Sequence, residues 1–148
     1  MRLTKFSDYS LRVLIYLATM ESEKATAQEI AQAYDISFHH VAKACQWLAR
    51  EGYIDAERGR SGGISLARPV ADINIGDLVA KTEAGTALVE CLAPEGGSCH
   101  IKPACGLRHA IAQAETAFMT TLRGFTLASV ISQRSALQVL LENVDAVA

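Results

Sequence analysis

The chain has 148 residues, half of them apolar, which is enough to bury the core of one domain with a short extension. The formal net charge is −2 at pH 7, so any nucleic-acid binding has to come from locally placed basic residues and not from bulk charge. The N-terminus lacks a secretory signal pattern and no apolar run is long enough to span a bilayer, so we expect a cytoplasmic protein with no membrane partner.

The first half of the chain has a helical pattern. Apolar residues over 7–20 lie on more than one face of a helix, which predicts burial on several sides. A capping box that begins at Thr26 predicts a short helix, and Ser37 is placed to cap a second helix that ends at Gly52. Cys45 in this second helix is predicted to be a small buried residue. A short helix, a tight turn and a second helix together predict a helix-turn-helix.

The next residues have the pattern of a β-hairpin. Residues 53–57 and 64–67 have strand character, and the turn between them is basic and rich in glycine. A hairpin after a helix-turn-helix predicts a wing. The predicted fold is therefore mainly α, a winged helix-turn-helix with a β-hairpin wing.

The predicted DNA-binding residues lie at the start of the second helix and in the wing. Recognition helices present their N-terminal residues to base edges, and arginines on a glycine-rich turn enter a minor groove or clamp phosphates. The alternatives are a solvated hairpin turn and histidines that face solvent without touching a base. The predicted set is Ser37, Phe38, His39, His40, Lys43, Arg58, Arg60 and Ser61.

The second half of the chain begins with a helix capped by Asn74, followed by an irregular loop. From Cys105 onward, apolar residues recur at steps of three and four, which predicts a long helix with a one-sided stripe suited to a dimer interface. The apolar segment after Thr126 is expected to have a structural role. These patterns divide the chain into a DNA-binding domain (1–83), a cysteine-bearing loop (84–104) and a dimerisation helix with a C-terminal segment (105–148).

Three cysteines, Cys91, Cys99 and Cys105, lie close together in this loop and at the start of the long helix. In a reducing cytosol, such spacing indicates metal ligands or redox centres in preference to structural disulfides. The dipole of the long helix favours a thiolate at Cys105. On spacing alone an iron–sulfur cluster is favoured, and a zinc site completed by His100 or His109 and a set of redox thiols are the alternatives.

Several motifs in one order resemble the iron–sulfur winged-helix regulator superfamily that includes IscR, RirA and NsrR. The resemblance rests on the opening Met-Arg-Leu-Thr-Lys-Phe-Ser-Asp, the wing Arg-Gly-Arg-Ser-Gly-Gly-Ile, the segment Ile-Gly-Asp-Leu-Val, and the end of the cysteine loop, Pro-Ala-Cys-Gly-Leu-Arg. Within this superfamily the chain most closely resembles the NsrR-type repressors, which sense nitric oxide.

The resemblance implies a homodimer that binds palindromic double-stranded promoter DNA while its cluster is intact and releases the DNA when nitric oxide attacks the cluster. It implies an iron–sulfur cluster, 4Fe-4S in preference to 2Fe-2S, although three cysteines can hold either type. The implied ligands are Cys91, Cys99, Cys105 and Asp8 of the partner subunit.

The fourth ligand has two alternatives. IscR-like members use a histidine three residues after the last cysteine, and here that position is Arg108 with His109 displaced by one, which disfavours that mode. Asp8 could instead be an ordinary carboxylate that the dipole of the first helix stabilises.

The sequence is also compatible with other classes of regulator. A regulator that senses iron or cluster supply shares the same motifs, and a zinc- or thiol-based redox regulator shares the cysteines. The sequence contains no CxxC motif, no nucleotide-binding glycine loop and no Ser/His/Asp arrangement around a pocket-forming pattern. We therefore expect that the protein is not an enzyme.

Overall fold

The structure is a computed structural model that describes residues 2–20, 22, 24–57, 59 and 62–142. Two strands, β1 (Ile54–Glu57) and β2 (Gly63–Leu66), form an antiparallel hairpin. The α-helices are α1 (Lys5–Thr19), α2 (Ala27–Ala33), α3 (Phe38–Arg50), α4 (Ile75–Thr82), α5 (Gly106–Arg123), α6 (Leu127–Val130) and α7 (Arg134–Glu142). Short 3-10 turns lie at Val70–Asp72, Glu90–Leu92 and Lys102–Ala104. This order confirms the predicted mainly helical fold with a hairpin wing and a long helix.

Polar side chains begin several helices, as their sequences predict. Thr26 and Glu29 form the reciprocal capping box at α2, and the Asn74 carboxamide oxygen accepts a hydrogen bond from the Asp77 backbone N–H at 3.0 Å. Ser37 occupies the predicted capping position of α3, but its side chain makes no capping hydrogen bond. Gly52, with φ of +71°, turns the chain out of α3 in the left-handed region that favours glycine.

Helix α1 lies at the centre of the core. It packs against α3, α4, α6, α7 and β2, and Val13 and Leu14 are fully buried. The prediction that this helix is buried on several sides is confirmed. The C-terminal segment also packs on α1: Leu127 is fully buried, and the Arg134 guanidinium Nε donates to the Thr19 carbonyl at 2.9 Å.

The hairpin is joined to the segment before α2. Ile54 pairs with Leu66 in the antiparallel register, and Ala25 and Ile64 exchange two backbone hydrogen bonds of 2.9 and 2.7 Å. These bonds attach strand β2 of the wing to the segment before α2, so the wing is fixed relative to the helix-turn-helix.

Helix α5 crosses α4 near its C-terminal end and has no buried residue of its own. Met119 and Leu122 pack against the core, whereas Leu107 near the other end is 67% exposed. The C-terminal end of the predicted apolar stripe therefore packs against the core of the same chain, and the N-terminal end is exposed. No helix among the described residues is long and apolar enough to cross a membrane.

Cys45 makes the stability of this fold sensitive to alkaline pH. Burial raises the pKa of its thiol to about 11 from the ordinary 9.0, so the unfolded chain loses this proton at lower pH than the folded protein. The contribution of the Cys45 thiol to the free energy of unfolding is fully present below pH 9 and is lost as the pH rises from 9 to 11. The total loss is about 2 to 3 kcal/mol. Chemical denaturation between pH 8 and 11 should show a steeper loss of stability for the natural protein than for Cys45→Ala. Parallel pH profiles of the two proteins would contradict this prediction.

Candidate functional site

The predicted DNA-contacting residues at the start of α3 are all exposed: Ser37, Phe38, His39, His40 and Lys43. The opposite side of the helix supplies four buried core residues: Val41, Ala44, Cys45 and Leu48. The helix is therefore amphipathic, and its exposed N-terminal face has the position that a recognition helix presents to a major groove.

Ring contacts connect this exposed face to its surroundings. The ring of Tyr9 in α1 lies 5.7 Å from the ring of His40, and the rings of Phe38 and His39 lie 5.8 Å apart. The Tyr9–His40 contact joins α1 to the exposed side of α3, so a displacement of α1 would also move His40.

Arg68 holds the C-terminal end of α3. Its guanidinium donates to the Gly52 carbonyl at 2.6 and 2.8 Å and to the Glu51 carbonyl at 3.2 Å, and it lies 4.5 Å from the centre of the Tyr53 ring. Lys81 of α4 bonds the Glu51 carboxylate at 3.1 Å, and this hydrogen bond raises the pKa of Lys81. Cations at a helix C-terminus are favourable, and these two fix α3 to the wing and to α4.

Three predicted DNA contacts, Arg58, Arg60 and Ser61, lie outside the described residues. The wing is described on either side of them. The Gly62 N–H donates to the Gly59 carbonyl at 3.0 Å, and Gly59 has φ of +114°, a conformation that an L side chain rarely adopts. DNA contact by the wing stays a prediction.

The three loop cysteines lie on the segment that joins α4 to α5. Cys91 is half-buried in a 3-10 turn, Cys99 is exposed, and Cys105 is half-buried at the position that precedes the first residue of α5. All three are free thiols. Cys105 therefore lies at the positive end of the dipole of an 18-residue helix.

Hydrogen bonds fold this loop back on itself. Glu90 accepts a bond from the Ser98 N–H at 2.8 Å, Lys102 donates to the Gly96 carbonyl at 2.5 Å, and Arg108 donates to the Cys91 carbonyl at 3.3 Å. These bonds connect the turn that carries Cys91 with the middle of the loop and with the first turn of α5.

The potential ligands do not converge within one chain. Over the described ranges, no three cysteine, histidine, aspartate or glutamate side chains approach one another as a metal-binding group. His100 and His109 are both exposed. The structure places the three cysteines on one loop and Asp8 elsewhere, on the first turn of α1.

Asp8 is paired with Arg12 in the same helix. The Asp8 carboxylate accepts a hydrogen bond from Arg12 Nε at 3.1 Å, and the Asp8 side chain is 44% exposed. The Arg12 guanidinium also lies 5.5 Å from the ring centre of Tyr34, in the turn between α2 and α3. Burial raises the pKa of Tyr34 to about 12, so its phenol stays neutral beside this cation. Arg12 thus links Asp8 to the helix-turn-helix.

Glu83 connects the root of the cysteine loop to the start of α1. One of its carboxylate oxygens accepts hydrogen bonds from the Thr4 backbone N–H at 2.8 Å and the Thr4 hydroxyl at 2.9 Å. The fully buried Ser7 hydroxyl bonds the same oxygen and lies 2.7 Å from the Thr82 hydroxyl. Glu83, where the chain enters the cysteine loop, is therefore bound to α1 at Ser7, the residue before Asp8.

Glu83→Ala should lower the free energy of unfolding by about 2 kcal/mol, because it removes the acceptor for several hydrogen bonds at the start of α1. Glu83→Gln keeps an acceptor oxygen but loses the charge, and about 1 kcal/mol of destabilisation is expected. Thermal and chemical denaturation measure both effects. Glu95→Ala, a matched change at an exposed position in the loop, should stay close to the natural protein. Equal stability of the Glu83→Ala and Glu95→Ala proteins would contradict the role of this contact.

The chain resembles known transcriptional regulators over nearly its whole length. Residues 3–133 match the Rrf2 family, described as iron-dependent transcriptional regulators. The chain belongs to the Rrf2 family. It is 43% identical over 143 residues to the HTH-type transcriptional regulator NsrR of Geobacillus kaustophilus, covering 96% of this chain and 97% of that protein. It is 40% identical over 143 residues to the protein of the same name in Bacillus subtilis, covering 96% and 98%.

Solved structures agree with this assignment. The global cysteine regulator CymR of B. subtilis matches with a TM-score of 0.69 and 25% identity, over 90% of this chain and 98% of that one. T. potens IscR matches with a TM-score of 0.68 and 18% identity, over 90% and 88%, and shows the fold alone. The Rrf2 chain is therefore a DNA-binding transcriptional regulator and not an enzyme, as the absence of catalytic motifs predicted.

The donor chemistry of this Rrf2 chain fits an iron–sulfur cluster. Iron–sulfur clusters take thiolate ligands, and the loop offers three free cysteines, one of them at a helix N-terminus. Three cysteines leave one ligand position to another residue, and among the described residues neither His100 nor His109 forms a metal-binding group with them. The assignment of the four individual ligands stays a prediction.

Sequence reasoning missed the contacts that join these sites. Arg12 follows Asp8 by one helical turn, so an ion pair between them could have been read from the spacing. Glu83 and Arg68 had no such signal, because their partners lie 16 to 79 residues away along the chain. Only the fold brings them together.

Proposed function

We propose that this Rrf2 protein is a nitric-oxide-sensing transcriptional repressor that carries an iron–sulfur cluster. It acts as a homodimer, binds palindromic promoter DNA while the cluster is intact, and releases the DNA when nitric oxide reacts with the cluster. The observation that carries the proposal is the set of three free cysteines on one loop, in a chain 38–43% identical to regulators named NsrR.

The proposed holders of the cluster are Cys91, Cys99, Cys105 and Asp8 of the partner subunit, and a 4Fe-4S cluster is favoured over a 2Fe-2S cluster. When bound, the cluster supplies iron that reacts with nitric oxide. A carboxylate is a weaker partner for iron than a thiolate, so Asp8 marks the most replaceable ligand. The cysteines would hold the cluster in place while the aspartate position opens.

The residues around Asp8 would connect loss of the Asp8 ligand to the DNA-binding face of α3. An Asp8 carboxylate released by a partner's cluster would return to Arg12, with which it pairs at 3.1 Å in the single chain. Arg12 also contacts Tyr34 in the helix-turn-helix, and the neighbouring Tyr9 contacts His40 on the exposed face of α3. A small shift of α1 would then change the separation of two recognition helices that have to match half-sites about one DNA turn apart.

Anaerobic purification followed by titration with nitric oxide tests the proposal. A brown protein whose visible absorption bleaches on stepwise addition of nitric oxide, with parallel loss of binding to a promoter duplex, is the expected result. Loss of colour without a change in DNA affinity would contradict sensing. A colourless protein, prepared with iron supplied, would instead favour a zinc- or thiol-based redox regulator.

Asp8→Ala should lower the affinity of the untreated, cluster-loaded protein for DNA at least fivefold, because it removes the ligand that couples the cluster to α1. Its rate of reaction with nitric oxide should change as well. Stopped-flow absorption and fluorescence anisotropy measure the two effects. Asp72→Ala, the same change at an exposed aspartate outside both α1 and the cysteine loop, is the control. The same reaction rate and the same DNA release in Asp8→Ala and the natural protein would remove the gating role of Asp8.

A second candidate is a regulator that senses iron or cluster supply, which the iron-dependent description of the family favours. This alternative shares the fold, the cysteines and the DNA-binding residues. Exposure to nitric oxide and treatment with an iron chelator, each followed by a DNA-binding measurement, separate the two. Release by the chelator at once and by nitric oxide only slowly would favour supply sensing.

A further inference from the structure

Helices α4 and α5 approach each other most closely where Gly76 faces Arg123. Gly76 is buried, and a Cβ added there would lie 2.5 Å from the Arg123 backbone N and 2.8 Å from its Cα. Real Cβ atoms essentially never make such contacts, and backbone atoms cannot move aside as a flexible side chain does. Only glycine at this position permits the observed crossing.

Hydrogen bonds fasten the crossing on both sides of this contact. The Asn74 amide donates to the Arg123 carbonyl at 2.7 Å, while its carbonyl oxygen caps α4, so one side chain serves the end of one helix and the start of another. The Ile75 N–H donates to the Phe125 carbonyl at 3.0 Å. The Arg123–Asp77 ion pair at 3.2 Å joins two side chains that are more than half exposed, so it contributes little to holding the crossing. The long helix therefore leaves the core at a fixed angle.

This angle is connected to the recognition helix. Lys81 near the end of α4 bonds Glu51 directly after α3, so α5, α4 and α3 form one connected series. Helix α5 is about 27 Å long, and a change of about 10° at the crossing would move its far end by about 5 Å. One base pair advances DNA by about 3.4 Å, so even this small change exceeds a one-base-pair shift of a half-site.

We infer that Gly76 and Asn74 are specificity-determining residues, because the α4–α5 crossing that they shape sets the half-site spacing the dimer accepts. The inference rests on the proposed homodimer, in which α5 supplies the dimer contact. Two winged-helix cores joined through α5 present their recognition helices at a separation fixed by the crossing angle. Among palindromic duplexes, the dimer would therefore prefer those with one particular distance between the two half-sites.

Two substitutions change the crossing in different ways. Gly76→Ala introduces the clash with the Arg123 backbone. Asn74→Asp keeps an N-cap for α4, since aspartate caps as well as asparagine, but removes the N–H donor to the Arg123 carbonyl. Arg123→Ala is the control, because it removes the ion pair with Asp77 and leaves the Gly76 contact with the backbone intact.

The test uses full-length, anaerobically purified protein and a duplex selected from random DNA by the natural protein. Versions of this duplex with the half-site spacing changed by one or two base pairs are compared by fluorescence anisotropy. We expect a clear optimum for the natural protein and for Arg123→Ala. For Asn74→Asp and Gly76→Ala, the optimum should move, or the preference for it should fall at least fivefold.

An unchanged spacing profile in Asn74→Asp and Gly76→Ala would overturn the inference. If Gly76→Ala does not fold, the Asn74→Asp profile decides alone. Light scattering on the natural protein measures its oligomeric state, which distinguishes failure of this inference from failure of the proposed function. A dimer whose spacing profile is unchanged by both variants overturns only the role of the crossing, whereas a monomer overturns the dimer proposal and this inference together.

Discussion

Replacing Cys99 with serine should remove the visible absorption of the anaerobically purified protein and weaken its binding to promoter DNA at least tenfold. Cys99 is exposed, so the substitution has little effect on folding and acts on the cluster site alone. A serine hydroxyl is a far weaker ligand for iron than a thiolate, which leaves the loop one ligand short. Absorption spectroscopy, iron and sulfide analysis, and fluorescence anisotropy measure the effect.

Cys45→Ala is the matched control for this experiment. Cys45 is buried in α3 and its raised pKa keeps its thiol protonated at neutral pH, so it is unsuited to bind iron. The variant should keep its colour and its response to nitric oxide. A Cys99→Ser protein with the natural iron content and DNA affinity would exclude Cys99 as a ligand and with it the proposed site.

Leu14→Ala should lower the free energy of unfolding by about 3 kcal/mol. Leu14 is fully buried at the centre of α1, where core elements from both ends of the chain meet. Truncating such a side chain loses its transfer free energy and leaves a cavity that the surrounding helices fill only in part. For a protein of this size the melting temperature should fall by about 6 to 12 °C.

Leu140→Ala is the same chemical change at an exposed position, because Leu140 is 57% exposed on α7. Its effect should stay within about 0.5 kcal/mol. Both variants have to be compared with the natural protein at one protein concentration, since dimerisation stabilises the folded state by mass action. Equal melting temperatures of the two variants would contradict the central position of α1.

The sequence predicts the helices and their caps well because these signals are local. Thr26, Asn74 and Gly52 act within one turn of their own positions, and the structure confirms all three. The glycine at position 76 carries no such signal. Its reason is contact with Arg123, 47 residues later, and a crossing of two helices cannot be read from the periodicity of either.

The candidate sites depend on local and tertiary signals in the same way. Three closely spaced cysteines and an exposed helix start are visible in sequence, and the structure places the cysteines on one loop and exposes Ser37, Phe38, His39, His40 and Lys43. The Glu83–Thr4 contact joins residues 79 positions apart, so its existence depends on tertiary packing. The sequence therefore indicates candidate residues for the chemistry, but not the contacts that link them.

Helix α5 has no buried residue within one chain, although its first turn carries the cysteine loop. A helix of this length is marginal in water without packing, so in the proposed dimer the turns of α5 that lie away from the core would depend on contact with a second copy for much of their order. In the proposed dimer, the amount of protein in the cell would then govern how firmly the loop is held. Scarce subunits would leave the thiols loosely arranged, so expression level would itself become an input to sensing, alongside the chemical signal.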